Sequence, residues 1–145
     1  MTSAAFTDSH AALHALTAGN ATITLVSEAT GTRYTYKVKA AKDKDTLWFV
    51  SLLTGPNNET DFNYIGIITE ADGRYSFRTT AKSRLTADSA PVKAIAWTVA
   101  NIQGDSMPRA LQVWHEGCCC RCGRKLTVPS SIASGLGPEC IKLAA

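Results

Sequence analysis

The sequence predicts an α+β fold: an antiparallel sheet of about five strands covered by a helix, followed by a small C-terminal metal-bound module. Three observations predict it. Apolar and polar residues alternate with period two over much of the stretch from Ala21 to Thr80. A proline-led segment with apolar residues at helical spacing follows, from Asp88 to Ile102. All 5 cysteines then crowd into the end of the 145-residue chain.

The elements follow in order. Asp8 to Leu16 reads as a short helix, capped by Asp8 or Ser9 and ended by Gly19. His10 and His14 stand one turn apart on it; with no third ligand nearby they are expected to face solvent. Thr22 to Ser27 is the first strand, with Ile23 and Leu25 on one face, and Thr30-Gly31 is a turn. In Arg33 to Lys39, Tyr34, Tyr36 and Val38 face one way and Arg33, Lys37 and Lys39 the other. After the charged Ala41–Asp45 loop, Thr46 to Leu53 is nearly all apolar and reads as a central strand. Gly55-Pro56-Asn57-Asn58 is loop chemistry, Asn63 to Thr69 is a strand, and Ala71-Asp72-Gly73 is a hairpin turn. Arg74 to Thr80 alternates again, with Tyr75 and Phe77 inward.

Asp88-Ser89-Ala90-Pro91 starts the covering helix, whose buried stripe is Val92, Ile95, Val99 and Ile102. Trp48, Val50, Ile95 and Val99 are expected to meet between sheet and helix. Gly104 to Pro108 reads as a linker, dividing the chain into an α+β main domain, 1–107, and a finger, 108–145. Leu111, Val113 and Trp114 form a strand leading into His115, which brings the finger against the main domain.

The finger carries the chemistry. Cys119 and Cys122 make a C-x-x-C knuckle followed by Gly123, and Cys140 returns after Gly-Leu-Gly-Pro. The spacing lets two thiolates meet one ion from a single turn, with Gly123 at positive φ. A Cys3His zinc site of His115, Cys119, Cys122 and Cys140 explains the pattern economically; Cys118 or Cys120 can substitute as the fourth ligand. A disulfide framework fits poorly, since the cysteines are adjacent and odd in number. Four protein ligands make the zinc structural rather than catalytic. Pro129-Ser130-Ser131 starts a short helix, Ile132 and Leu136 pack on the metal site, and Pro138 opens a final helix with Cys140 in its first turn.

These residues resemble a small uncharacterised zinc-finger family common in bacteriophage and actinobacterial proteins. Its pattern, H-x-G-x-C-x-x-C-G-R-x-L-T-x-P-x-S-I-x-x-G-x-G-P-x-C, is met by His115, Gly117, Cys119, Cys122, Gly123, Arg124, Leu126, Thr127, Pro129, Ser131, Ile132, Gly135, Gly137, Pro138 and Cys140. Cys118 and Cys120 are additions to it. The resemblance implies zinc binding and a phage or mobile-element setting, and no settled activity.

Composition bounds the rest. A hydrophobic content of 45% is that of a globular chain, and no apolar run is long enough to cross a bilayer. Met1 to Asp8 lacks the basic start and apolar core of a signal peptide, so with reduced cysteines the expected location is the cytoplasm. No catalytic motif is present: no P-loop, G-x-S-x-G or H-E-x-x-H, and the deaminase pattern fails because Glu116 follows His115 directly. The net charge is +3. Arg33, Lys37, Lys39, Arg74 and Arg78, extended by Lys82 and Arg84, give a positive surface if their strands share a sheet; Arg121, Arg124 and Lys125 add charge on the finger. Basic residues also decorate ordinary solvated sheet faces. The leading expectation is a non-catalytic phage-type protein that binds nucleic acid. The alternative is a phage inhibitor that binds a host protein, such as an anti-phage defence complex of the CRISPR type. No membrane and no small-molecule substrate are expected.

Overall fold

A strand with period-two alternation places one face in a core and the other outside, and the strands sort that way in the computed structural model, which describes residues 4–28, 30–55, 61–104, 111–126 and 129–143. The chain runs β1 (Ala4–Ala5), α1 (Ser9–Leu16), β2 (Asn20–Ser27), β3 (Arg33–Ala40), β4 (Leu47–Leu53), β5 (Phe62–Ala71), β6 (Arg74–Arg78), α2 (Ala90–Asn101), β7 (Leu111–His115), α3 (Pro129–Ser134) and α4 (Cys140–Leu143). The strands form one 7-stranded sheet, ordered β1-β7-β2-β3-β4-β5-β6, with every pair antiparallel. The five strands expected between Ala21 and Thr80 are the meander β2 to β6. Two more extend the sheet. β7 crosses back to pair with β2, and the two-residue β1, unforeseen in the sequence, pairs with β7.

Local chemistry sets the connections. Asp72 and Gly73 both take positive φ (54° and 80°), as a tight primed turn between β5 and β6 requires. Asp8 caps α1 by accepting the His10 amide. Ser89 occupies the N-cap of α2, but its hydroxyl donates back to the Thr86 carbonyl rather than to the helix. His10 is exposed as expected, whereas His14 is only half-exposed.

Both α1 and α2 lie on one face of the sheet. Ala21, Ile23, Leu25, Tyr36, Val38, Trp48, Val50, Leu52 and Ile68 form the core with the α2 stripe Val92, Ile95, Val99 and Ile102. Buried polar groups are tied in place. The Tyr36 hydroxyl donates to the Pro91 carbonyl at 2.6 Å, and the Trp48 indole to Thr17 at 3.1 Å. At the open edge of β6, the Gln103 carboxamide takes both the N–H and the C=O of Tyr75. The register shifts between Val50 and Ser51 on β4, where Ile65 is the extra residue of β5 and turns into the core.

The cysteine segment shares this core. Cys119, Cys120, Leu126, Leu136 and Cys140 belong to the same cluster as the sheet residues. The Asn20 amide donates to the Cys120 carbonyl at 2.7 Å, and the Phe6 amide to Val113 at 2.8 Å. The expected loop residues Pro56–Asn58, the linker residues 105–108 with the 107/108 division, and Thr127 and Val128 lie outside the described residues. Among the described residues, no helix is long and apolar enough to cross a membrane.

Candidate functional site

Among the described residues two features carry chemistry: a trio of sulfurs in the C-terminal segment, and the sheet face opposite α1 and α2.

The trio is Cys119, Cys122 and Cys140, whose Sγ atoms lie within 4.8 Å of one another. The knuckle holds the first two. Gly123 takes φ 82° and returns its amide to the Cys119 carbonyl at 2.9 Å, while the Cys119 amide reaches the Arg124 carbonyl at 2.8 Å. The Gly-Leu-Gly-Pro turn, with Gly135 at φ 73°, then delivers Cys140 as the first residue of α4. The closeness of Gly135 to the Phe6 ring leaves no room for a side chain there, since a Cβ would come within 2.8 Å of it.

Donors point at the sulfurs. Cys119 Sγ accepts the Gly137 amide at 3.3 Å and the Arg121 amide at 3.4 Å, and an Arg121 guanidinium nitrogen lies 3.6 Å from Cys140 Sγ. Burial pushes the Cys119 thiol up, but the amides of Cys122, Gly137 and Arg121 outweigh it and bring the pKa down to about 7. For Cys140, Arg121 pulls the pKa down, while burial and the two neighbouring thiols push it up, and the upward influences win. Metal–sulfur bonds of about 2.3 Å in a tetrahedral site set sulfurs about 3.8 Å apart, so the trio is nearly at the spacing an ion needs.

His115 does not join the three. It is the last residue of β7 and points into the core, fully buried against the Phe6 ring at a centroid distance of 5.4 Å. Its Nδ1 accepts the Gly117 amide at 2.9 Å, and Nε2 donates to the Ile132 carbonyl, so both ring nitrogens are engaged within the protein. Cys120 also lies in the core, and burial pushes its thiol up to about 12. Cys118 is half-buried, paired through its backbone with Lys125, and outside the trio. Beside Cys122 and Cys140 a concavity is lined by Arg121, Arg124, Lys125 and Glu139.

The second feature is the outer face of the sheet. Arg33, Lys37 and Lys39 on β3 and Arg74 and Arg78 on β6 share it, as alternation requires, but β4 and β5 stand between them. Register puts Lys39, Phe49, Ile67 and Arg78 in one row across four strands. The next row toward the chain start of β3 carries Lys37, Ser51 and Tyr64. Arg33 and Arg74 are not brought together; they stand toward opposite ends of the face. Arg84 is held beside Tyr64, whose carbonyl its amide meets at 2.9 Å, and Lys82 is exposed in the same loop. Arg121, Arg124 and Lys125 are exposed on and after the knuckle. Asn20, the register partner of Lys39, contacts that knuckle, so the finger's charge borders the Lys39 end of the sheet. Carboxylates stand among these charges: Glu116 accepts from Thr24 on β2, Glu28 accepts from Gln112, and Asp43 lies beside Lys39 and Lys42.

Alternation assigns Tyr34, Tyr36, Tyr75 and Phe77 to the core, and all four pack there. The aromatic residues of the opposite face escape the sequence reading. Phe49 is 44% exposed in the centre of the basic row. The Tyr64 ring meets it edge-on at 6.3 Å, and the Lys37 ammonium lies 5.2 Å from the centre of the Phe62 ring. The signal is there: with Trp48, Val50 and Leu52 inward, alternation turns Phe49 outward.

Residues 110–143 match the model of a family of unknown function, DUF6011. The match contains the trio and the motif from His115 to Cys140. No curated protein and no solved structure matches the chain significantly.

Proposed function

We propose that this is a non-catalytic nucleic-acid-binding protein whose C-terminal segment is held by one structural zinc ion. The observation that carries the binding proposal is the row Lys39–Phe49–Ile67–Arg78 on the helix-free face, with Lys37 and Arg84 beside it. Cations spaced across one face of a sheet suit the regular charges of a phosphate backbone, and releasing its counterions supplies affinity. The knuckle charges Arg121, Arg124 and Lys125 extend the surface past Asn20.

Zinc is the ion this donor set favours, because thiolates select soft or borderline ions and tetrahedral geometry. Cys119, Cys122 and Cys140 hold it. Binding would join the knuckle to α4 in a segment with few apolar residues of its own. Three thiolates over-neutralise a divalent charge and so weaken its acidity toward a bound water. That argues for a structural rather than a hydrolytic role. Reduced thiols suit the cytoplasm, and the phage setting implied by the motif belongs to the same proposal.

Anisotropy titrations with labelled oligonucleotides over a salt series test the binding proposal. Log affinity should fall linearly with log salt. Lys39→Gln combined with Arg78→Gln should weaken all sequences alike and flatten the slope by roughly one unit for each phosphate no longer neutralised. Absence of binding at low salt, together with a nuclease-resistant stoichiometric complex with a host protein, would give this face to the inhibitor alternative.

A further inference from the structure

We infer that the nucleic acid is single-stranded, and that Phe49 is the residue on which a base stacks, with Lys37, Lys39 and Lys42 taking the adjoining phosphates. This rests on the binding proposal and narrows it. Phe49 is one of three large hydrophobic side chains exposed among the described residues, and it alone stands on the basic sheet face; Trp97 lies on α2 and Ile141 on α4. It lies on an interior strand, where backbone pairing on both sides fixes its position. Tyr64 meets its ring edge-on and leaves 44% of the residue open to solvent.

A concavity of about 460 Å³ opens beside it. Phe49 and Ser51 line it together with three lysines, Lys37, Lys39 and Lys42, and one acidic residue, Asp43. The arrangement sets an apolar ring beside Lys37 and Lys39, rooted on the neighbouring strand, whose backbone lies roughly 4.8 Å across. A nucleotide offers the same pair: a flat base face and an anionic phosphate.

A duplex offers only half of it. Its base faces are stacked inside the helix, so it offers this surface its phosphates and groove edges but no base face for Phe49 to stack on. A single strand can turn bases outward onto aromatic rings while its backbone follows the cations. Stacking needs no base-specific hydrogen bond, so the site should be tolerant of sequence. Phe62, with the Lys37 ammonium near its ring, and Tyr64 continue the apolar band along β5 for a second base.

The test uses the full chain with a labelled 20-residue thymidine strand, the corresponding uridine strand, and a DNA duplex of equal length. The single strands should bind more tightly than the duplex; comparing the two tells DNA from RNA preference. Phe49→Ala should weaken single-strand binding roughly 5- to 150-fold, leave the salt slope unchanged and leave duplex binding unchanged. Phe49→Trp should restore single-strand binding. Because Phe49 is outside the core, thermal melting should report both variants folded. Equal binding of duplex and single strand, unaffected by Phe49→Ala, would overturn the stacking proposal while leaving phosphate binding intact. Binding to none of the probes at low salt would overturn both.

Discussion

Replacing His115 separates a core residue from a metal ligand. The imidazole is fully buried and accepts the Gly117 amide on one side while donating to the Ile132 carbonyl on the other. His115→Ala leaves both backbone groups without their partner. At about 1–3 kcal/mol for each buried group left unsatisfied, the loss is about 2–6 kcal/mol, before counting the void beside Phe6. That is a large part of a domain's usual net stability of about 5–15 kcal/mol. His115→Gln keeps an amide able to meet one of the two partners and should cost about half as much. The assay is urea unfolding, paired with metal analysis of the folded fraction at low temperature. The expected result is a graded loss of stability with about one zinc retained per folded chain. Loss of zinc from folded His115→Gln, with little change in unfolding midpoint, would refute the assignment and make the imidazole a ligand.

The other predictions concern the trio and the sheet. Serine in place of Cys119, Cys122 or Cys140 should abolish stoichiometric zinc, and the cobalt-substituted protein should lose its thiolate charge-transfer absorbance. Cys118→Ser and Cys120→Ser should keep the ion, with Cys120→Ser costing about 1–3 kcal/mol for a hydroxyl placed in the core. Gly66→Ala should destabilise by about 1–3 kcal/mol in denaturant titration, because its Cβ would clash with the Arg78 carbonyl and stand 2.6 Å from the Phe77 ring. A neutral effect there would mean that β6 can move off β5 freely.

Much of the fold is legible in the sequence because its signals are local. The meander strands announce themselves by alternation and the Asp72-Gly73 turn, and the α2 stripe by helical spacing around Ile95 and Val99. What is not legible depends on distant partners. Nothing near Ala4 and Ala5 marks a strand, since β1 exists only through pairing with Trp114 and His115. The position of β7 beside β2 is likewise a long-range choice. His115 reads as a ligand because it stands close to the knuckle in sequence, yet Leu111, Val113 and His115 alternate, and that pattern already turns the imidazole toward the core. Phe49 is hidden by the opposite habit: a nearly continuous apolar run reads as buried on both faces, although its strand has a helix on only one. The cysteine spacing is strong enough to anticipate the trio, but spacing alone does not say where a fourth ligand points.

The placement of β7 also orders the making of this protein. Strands β2 to β6 follow one another in the chain and can pair as a ribosome releases them. The outer edge of β2 stays bare until residues 111–115 arrive, and the Thr24–Glu116 hydrogen bond across that seam spans 92 residues. An unpaired edge is a template for pairing with another molecule. Long-range closure is also the slow part of assembling a sheet. Until residues 111–115 are made, that edge of β2 remains open to such pairing. The strand that relieves it runs directly into the cysteines, so sealing the sheet and placing the Cys119–Cys122 knuckle fall to the same stretch of chain.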